Sequence, residues 1–214
     1  MNSEGHRLCF VALQAYNLLS EDRGAAHVGG AEVQQVQLAR CLTARGFAVT
    51  FVTHDHGQSD GDICDGIRVF KAYHRDHGLW GIRFIHPRIT RLWSALHRAN
   101  ADTYYQRTSD SVTGVVAAFC KWNRRRFLFA SGALADCDPA LPNCRSLRER
   151  TLYLYGLRRA DAVVVQSEDQ RQRFRENFGV EAHLVRSTAV DPQSLTKYIP
   201  ESADRPCFVW IGRF

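Results

Sequence analysis

The stretch "DAVVVQSEDQRQRFRENFG", residues 161–179, joins a buried strand directly to a capped helix. Its four consecutive apolar residues show no polar alternation, which is typical of a strand covered on both faces. The letters SEDQ, beginning at Ser167, form a capping box, so we predict a helix that continues to about Phe178. Gly179 is suited to end that helix. Residues 182–185 are apolar again, and a strand, a helix and a strand in succession predict a parallel sheet.

The same alternation extends back to the beginning of the chain. We predict a helix from Gly30 to Gly46, and a later helix that Ser109 or Asp110 caps. Regular alternation of strands and helices predicts an α/β fold, a Rossmann-like parallel sheet with helices on both faces. The further predicted strands are residues 8–13, 47–53, 67–70, 102–107 and 126–131, and the further predicted helices pass through residues 80–100 and 147–157.

Composition excludes several classes of protein. The chain has 214 residues, of which 45% are hydrophobic and 23% charged, as in ordinary globular domains. No apolar run approaches the roughly 20 residues of a membrane span. The first apolar stretch lacks a cleavage pattern, so it predicts a strand rather than a signal peptide, and a cytoplasmic protein is expected. The net charge of +6 comes with no nucleic-acid-binding motif, so no nucleic-acid partner is expected.

Arginines are concentrated in "WGIRFIHPRITRLWSALHRAN", residues 80–100. Apolar residues recur there at helical spacing, and Pro87 suits the first turn of a helix. One interpretation is a surface helix that covers the core. The other is a basic aromatic face that contacts an anionic acceptor or an anionic membrane, such as the inner face of the plasma membrane. The residues of this candidate face are Arg83, Arg88, Arg91 and Trp93.

Cysteines and histidines do not predict a metal site. Cys137 and Cys144 flank a loop, but zinc ligands are usually more closely spaced and accompanied by a second pair. His54 to His56 and His74 to His77 follow predicted strands, and we expect solvated histidines in both loops. No metal and no cofactor are therefore predicted.

Parallel α/β sheets bind ligands beyond the carboxyl ends of their strands, so the loops there are the place to look for function. Gly29 and Gly30 stand at a predicted helix start, where free backbone amides attract phosphate. A plain turn explains the same two glycines. No G-x-G-x-x-G follows the first strand, which argues against a nicotinamide-dependent enzyme although Asp55 follows the second. Another Rossmann enzyme with a nucleotide cofactor remains the weakest alternative.

Three segments together resemble glycosyltransferase family 4. "GGAEVQQVQLARCLTARGFAVTFVT", residues 29–53, resembles its opening loop, helix and strand. Residues 160–180 resemble its late strand and helix, and "FVWIGRF", residues 208–214, resembles the strand that opens its second domain. The three segments occur in the family's order and span nearly the whole chain.

The resemblance implies a GT-B architecture, in which two Rossmann-like domains face each other across a cleft. It implies an acceptor domain at residues 1–190, a linker at 191–206 and the first strand of a donor domain at 207–214. The implied reaction is retaining hexosyl transfer, without a metal, from a nucleotide-sugar such as a UDP- or GDP-sugar to a glycan or lipid-linked acceptor. This chain is then expected to be the acceptor-side half and inactive alone. A non-catalytic module that binds acceptor or membrane is the alternative.

The resemblance also implies residue roles. Arg213 corresponds to the family's arginine that binds the donor diphosphate, and Gly29 and Gly30 are expected to assist it. The histidines that the family often has near two strand ends are absent, so the catalytic residue stays unassigned. Asp136 and Asp138 are weak catalytic candidates that loop capping explains equally well. The expected acceptor-binding residues at strand ends are Gln106, Arg107 and Ser131.

Overall fold

The computed structural model describes residues 5–20, 29–78 and 81–186, which build one eight-stranded sheet. The spatial order of the strands is β3-β4-β2-β1-β5-β6-β7-β8, and every neighbouring pair is parallel except β3 and β4. The predicted Rossmann-like parallel sheet is confirmed. The strands are β1 (Arg7–Val11), β2 (Ala48–Thr53), β3 (Asp62–Cys64), β4 (Ile67–Lys71), β5 (Thr103–Arg107), β6 (Arg126–Ala130), β7 (Ala162–Val165) and β8 (His183–Leu184).

Helices cover both faces of the sheet, as predicted. One face carries α1 and α2, and the other carries the four remaining helices. The helices are α1 (Tyr16–Leu19), α2 (Gly30–Thr43), α3 (Thr90–Ala99), α4 (Ser111–Trp122), α5 (Leu147–Arg159) and α6 (Glu168–Phe178).

Alternate strand residues supply the two halves of the core. Phe10 and Phe51 stack beneath α1 and α2 with their ring centroids 5.1 Å apart. Tyr105 joins them, with its ring 4.9 Å from that of Phe10. Tyr104 and Phe129 point the opposite way and pack beneath the other helices. Successive strand side chains point to opposite faces, so nearly continuous apolar strands fill both layers at once.

Polar side chains begin the helices where the sequence predicts it. Asp110, not Ser109, caps α4, because its carboxylate accepts hydrogen bonds from the amides of Val112 and Thr113 at 2.8 and 3.3 Å. Ser167 accepts from the Gln170 amide at 3.2 Å and caps α6. Helix α6 ends at Gly179, whose positive φ of 65° is a conformation that glycine adopts without strain. These local signals needed no tertiary context.

Three elements differ from the predictions. Helix α3 begins at Thr90, and Pro87 lies before it in an irregular helical turn, Phe84–Ile89. His86 is extended there, with φ −126° and ψ 122°, because a residue that precedes proline is disfavoured in helical conformation. The short strand β3, antiparallel at the sheet edge, and the four-residue helix α1 were not predicted. Neither is long enough to show a hydrophobic period.

Part of the predicted organisation falls beyond the described residues. The proposed linker at 191–206 and the proposed donor-domain strand at 207–214 with Arg213 lie outside them. Within the ranges that the structure describes, no helix is both long and apolar enough to cross a bilayer.

Candidate functional site

The strand order reverses between β1 and β5, and a polar cavity of about 280 Å³ lies at that point. Successive connections leave toward opposite edges of the sheet here, which opens a crevice at the carboxyl ends of the strands. The cavity is bounded by the loops that follow β1 and β5 and by the amino-terminal ends of α2, α4 and α5. Its lining side chains include Glu32, Gln35, His54, Tyr73, Gln106, Arg107, Asp110 and Glu149.

Arg107, which the sequence predicts as an acceptor-binding residue, lines this cavity. Its side chain lies at the end of β5 and is only 8% exposed, yet its Nε has no hydrogen-bond partner among the described residues. The same residue also lines a second, apolar cavity on the α2 side of the sheet. A buried side chain with an unused donor is a candidate for contact with a ligand.

Gln106 and Ser131, the other predicted acceptor residues, already have internal partners. The amide of Gln106 donates to the carbonyls of Arg107 and Thr108, both at 2.9 Å, and its oxygen accepts from Thr113 at 3.0 Å. The Ser131 hydroxyl donates to the Ala133 carbonyl at 3.1 Å. Both side chains are buried. Gln106 lines the polar cavity, whereas Ser131 lines the apolar one.

Asp136 is fully buried and its carboxylate connects two strand-end loops. It accepts from the amide and hydroxyl of Ser109 at 2.9 and 2.6 Å, in the loop after β5. It also accepts from the amides of Gly132 and Ala133 at 2.6 and 3.1 Å, after β6. Asp138 instead accepts one bond, 2.7 Å long, from the Ala140 amide. Neither carboxylate lines the polar cavity, and both make the contacts of loop-ordering residues.

Gly29 and Gly30 stand at the amino terminus of α2, as predicted. Gly29 is extended, with φ −82° and ψ 153°, and the Glu32 side chain folds back so closely that a Cβ at Gly29 would collide with Oε2 of its carboxylate. Apart from its chain neighbours and the backbone of its own helix, no atom lies within 4 Å of a Cβ built at Gly30. The Glu32 carboxylate therefore lies where the helix terminus attracts negative charge, and a donor phosphate would meet it there.

Burial shifts the pKa of two groups at the cavity in ways that set its charge. The pKa of Asp110 is raised to about 6, chiefly by burial, although its bonds from the α4 amides oppose that rise. The pKa of His54 is lowered to about 4, again chiefly by burial, so this ring is neutral at pH 7. His54 is thus not the solvated histidine that the sequence predicts, because it packs edge-on against Tyr73, with ring centroids 4.9 Å apart.

The sequence did not identify several lining residues as functional. Asp110 was considered only as a helix cap, and its position before a predicted helix was the available signal. Gln35, Glu32 and Glu149 lie on helices, where polar residues usually face solvent. Only the strand order brings these side chains to one cavity.

The second cavity is apolar, with a volume of about 260 Å³, and lies between α2 and the sheet. Leu38 and Leu42 of α2 form one wall, and Leu128 and Val164 form part of the sheet wall. Gln166 donates to Gln34 across its rim at 3.2 Å. Its walls offer hydrophobic contact and few polar groups.

The predicted basic face is only partly exposed. Arg83 and Arg91 point to solvent, and so do Ile82 and Ile85, which are 54% and 63% exposed. Arg88 is half-buried and donates to the Arg75 carbonyl at 3.4 Å. Trp93 does not belong to the outward face. Its ring packs edge-on against Phe119, with centroids 5.2 Å apart, because it lies on the inward side of α3.

Cys137 and Cys144 behave as core residues. Both are buried, and burial raises the pKa of the Cys144 thiol to about 11, so it is protonated at neutral pH. Across the described part of the chain, no three histidine, cysteine, aspartate or glutamate side chains converge as metal ligands.

Residues 29–188 match the family model described as a glycosyl transferase 4-like domain, which is most of the chain. No curated protein sequence matches the chain.

Two solved structures are similar to the chain, and the first of them shares its fold. Sucrose-phosphate synthase from Thermosynechococcus elongatus is 14% identical, with a TM-score of 0.61 over 85% of this chain and 48% of that one. Glycyrrhiza uralensis UGT73P12, complexed with glycyrrhetinic acid 3-O-monoglucuronide, is 11% identical, with a TM-score of 0.48 over 84% of this chain and 48% of that one. The chain thus spans about half the length of these proteins. Because the family model matches most of its length, the chain belongs to the glycosyl transferase 4-like domain family.

Proposed function

We propose that this chain is the acceptor-side, amino-terminal half of a GT-B glycosyltransferase. The reaction is retaining transfer of a hexosyl group from a UDP- or GDP-sugar to a glycan or lipid-linked acceptor. The donor domain is supplied by further residues of the same polypeptide or by a second one. The observation that supports this most directly is the polar cavity at the switch point, with Arg107 buried beside it.

The arrangement of the cavity suits an acceptor. Carboxylates and glutamine amides line it, and groups of both kinds can accept hydrogen bonds from hydroxyls. Transfer also needs positive charge near the leaving diphosphate, which in this proposal comes from Arg213 and from the backbone amides at Gly29 and Gly30. Glu32 must turn away from Gly29 when the donor phosphate binds, because two anions cannot share that helix terminus.

The test is release of nucleoside diphosphate from UDP-glucose and GDP-mannose in the presence of glycan and lipid-linked acceptors. We expect acceptor-dependent release by this chain together with its donor domain, and none by the 214-residue chain alone. Arg107→Met is expected to abolish the acceptor-dependent release of nucleoside diphosphate. Arg126→Met is the matched control, because Arg126 is exposed at the amino end of β6, the opposite edge of the sheet.

Turnover by the 214-residue chain alone would contradict the division into halves. Acceptor binding without any transfer by the completed protein would favour the alternative, a non-catalytic binding module. Binding of NAD or NADP would favour another class of Rossmann enzyme.

Contact with a membrane surface is a second candidate function, and the exposed pair Ile82 and Ile85 favours it. These isoleucines flank Arg83, and the segment from residue 81 to residue 100 contains no acidic side chain. Apolar side chains among arginines suit an anionic bilayer surface. This location corresponds to the cytoplasmic, peripheral placement that the sequence suggests.

Co-sedimentation with vesicles tests this second candidate. We expect the chain to bind vesicles that contain phosphatidylglycerol and to lose that binding when Ile82 and Ile85 are both changed to Ser. Arg83→Glu combined with Arg91→Glu is expected to have the same effect. Ile63→Ser is the matched control, because Ile63 is 59% exposed on β3 at the sheet edge. Equal binding to purely zwitterionic vesicles would argue against an electrostatic contact.

A further inference from the structure

A third cavity, of about 230 Å³, lies between the loops that follow β2 and β4 and the irregular turn before α3. Three histidines, His74, His77 and His86, line it together with Arg91. None of the described residues that line it also lines the polar cavity at the switch point. Basic side chains of two kinds thus meet at a pocket that the proposed function does not use.

Close packing at Gly78 fixes the walls of this pocket. Gly78 lies in the loop after β4 and has a positive φ of 113°. A Cβ there would lie 2.6 Å from Cδ of Pro87 and 2.8 Å from Cβ of Arg83, so only glycine lets the loop approach the turn. In the same loop the rings of His74 and His77 stack, with centroids 4.1 Å apart. The pocket is therefore already formed without a ligand.

The carboxylates nearest to this pocket are paired with other cations. Asp55 is the one carboxylate among the described lining residues, and its Oδ1 lies 3.6 Å from Nζ of Lys71. Asp60 pairs with Arg98 at 2.8 Å. Arg91 forms no ion pair within the described ranges. Its charge is therefore available to an anion that enters the pocket.

The other charges near the stacked histidines are mostly positive. Two acids lie near the pair, Asp55 after β2 and Asp76 in the histidines' own loop. The pKa of His56 is lowered, chiefly by burial and next by His74, so that ring adds little charge. The surrounding cations favour an anionic ligand over a metal cation. The neighbouring bases are His56, Lys71, Arg75, His86, Arg88 and Arg91.

Hydrogen bonds determine which ring nitrogens are left for a ligand. The Asp76 amide donates to Nδ1 of His74 at 3.3 Å, so the neutral ring carries its proton on Nε2, a donor suited to an anion. Nδ1 of His86 lies 2.9 Å from Oγ1 of Thr90, which donates its own hydrogen to the Pro87 carbonyl at 3.3 Å. Nδ1 of His86 is therefore the donor in that contact. Nε2 of His86 becomes a donor only when the ring is charged.

We propose that this pocket binds a tetrahedral oxyanion of the phosphate class, and that protonation of His86 strengthens the binding as the pH falls. Arg91 supplies a permanent charge, while His74 and the charged His86 supply ring donors. The inference goes beyond the proposed function, since it requires no sugar transfer. Ile82 also lines the pocket, so the phosphate can belong to a soluble ester or to a lipid headgroup.

A sulfate titration at pH 6.0 and pH 8.0 tests the proposal. The charge of sulfate is the same at both values, so any pH dependence comes from the protein. Long-range proton–nitrogen NMR of the histidine rings, on the nitrogen-15-labelled 214-residue chain at constant ionic strength, follows binding and shows which nitrogens are protonated. We expect the signals of His74 and His86 to shift. The sulfate Kd should be roughly tenfold lower at pH 6.0, because imidazoles gain charge over this interval.

Two variants have different expected results. Arg91→Gln should weaken sulfate binding by the same factor at both pH values, roughly tenfold, because arginine stays charged throughout. His86→Gln should weaken binding at pH 6.0 and abolish its pH dependence. The matched controls are Arg126→Gln and His183→Gln, which alter exposed side chains on β6 and on β8 at the other edge of the sheet. Both controls should bind sulfate as the native chain does.

Three results would overturn the proposal: equal affinity at the two pH values, unchanged pH dependence in His86→Gln, or an equal loss in the controls. Displacement of sulfate by glucose 6-phosphate but not by phosphatidic acid vesicles assigns a soluble ester, and the reverse assigns a lipid headgroup. If neither displaces sulfate, the phosphate class is wrong. The transfer assay is independent of all these outcomes.

Discussion

At the scale of single residues, Asp136 organises the strand-end loops rather than facing a ligand. Its carboxylate accepts from Ser109, Gly132 and Ala133, residues of two different loops. Each of these donors loses its partner if the carboxylate oxygen is replaced. Asp136 therefore holds the loops after β5 and β6 together.

Replacing Asp136 tests this interpretation. We expect Asp136→Asn to lower the free energy of unfolding by about 3 kcal/mol or more, because the new NH₂ group faces backbone donors. Asp138→Asn should cost less than about 1 kcal/mol, since Asp138 accepts a single bond. Urea denaturation measures both. A fully stable Asp136→Asn variant that has lost transfer activity would instead indicate a catalytic role.

Asp110 makes stability depend on pH in a predictable direction. Its pKa in the folded chain is about 6, above the ordinary 3.8 that it regains on unfolding. Its contribution to stability is therefore complete below about pH 4 and is lost as the pH rises through about 6. Asn caps helices about as well as Asp and does not titrate. As the pH rises from 4 to 6, we thus expect the stability of Asp110→Asn to increase relative to that of the native chain.

Urea midpoints of the two proteins at a series of pH values give this difference directly. His54 has a lowered pKa and produces the opposite trend, but both proteins contain it, so its effect cancels. A stability difference that stays constant from pH 4 to pH 7 would show that Asp110 does not titrate in this range.

At the scale of elements, α4 and α5 approach so closely that only glycine fits at their crossing. A Cβ at Gly114 would collide with the backbone of Leu152, and a Cβ at Gly156 would lie 2.6 Å from the Thr113 carbonyl oxygen. Neither glycine has a positive φ, so backbone conformation does not require them. The pair sets the distance between the two helices.

Alanine substitutions test this packing, because close helix contact and helix propensity predict opposite changes in stability. In an exposed helix, Gly→Ala stabilises by about 1 kcal/mol. We expect Gly114→Ala and Gly156→Ala to destabilise by about 1–3 kcal/mol instead, because the backbones must separate. Gly30→Ala on α2 is the control and should change stability by no more than about 1 kcal/mol, since nothing lies near its Cβ. Thermal unfolding, monitored by circular dichroism, shows whether each substitution stabilises or destabilises the chain.

At the scale of the whole molecule, one sheet joins two cores. Phe51 belongs to the core beneath α1 and α2, and Phe129 belongs to the core beneath the other helices. The strands that carry them contribute side chains to both cores in turn, so neither core can be lost alone. The described residues should therefore unfold as a single cooperative unit.

Large-to-small substitutions test that cooperativity. We expect Phe51→Ala and Phe129→Ala each to destabilise by about 3–5 kcal/mol and each to shift the far- and near-UV circular dichroism transitions together. A second transition in either variant would show that the two halves of the core unfold separately.

The sequence by itself determined the fold class, the helix caps and the position of the crevice at the strand ends. These features rest on local physics: side-chain period, capping hydrogen bonds and glycine conformations all act within a few residues. Ser167 could be assigned as a cap for that reason, and the cap of α4 could be narrowed to Ser109 or Asp110. Gly29 and Gly30 could likewise be placed at a helix start.

Tertiary structure alone decided what the site residues contact. The carboxylate of Asp136 binds Ser109, 27 positions earlier, and Gln35 meets Arg107 at one cavity only because β1 and β5 are neighbours. The Gly114 and Gly156 contact arises only where α4 and α5 cross. Convergence of this kind depends on strand order and helix packing, which bring together residues distant in the chain and leave no periodic signal in its sequence.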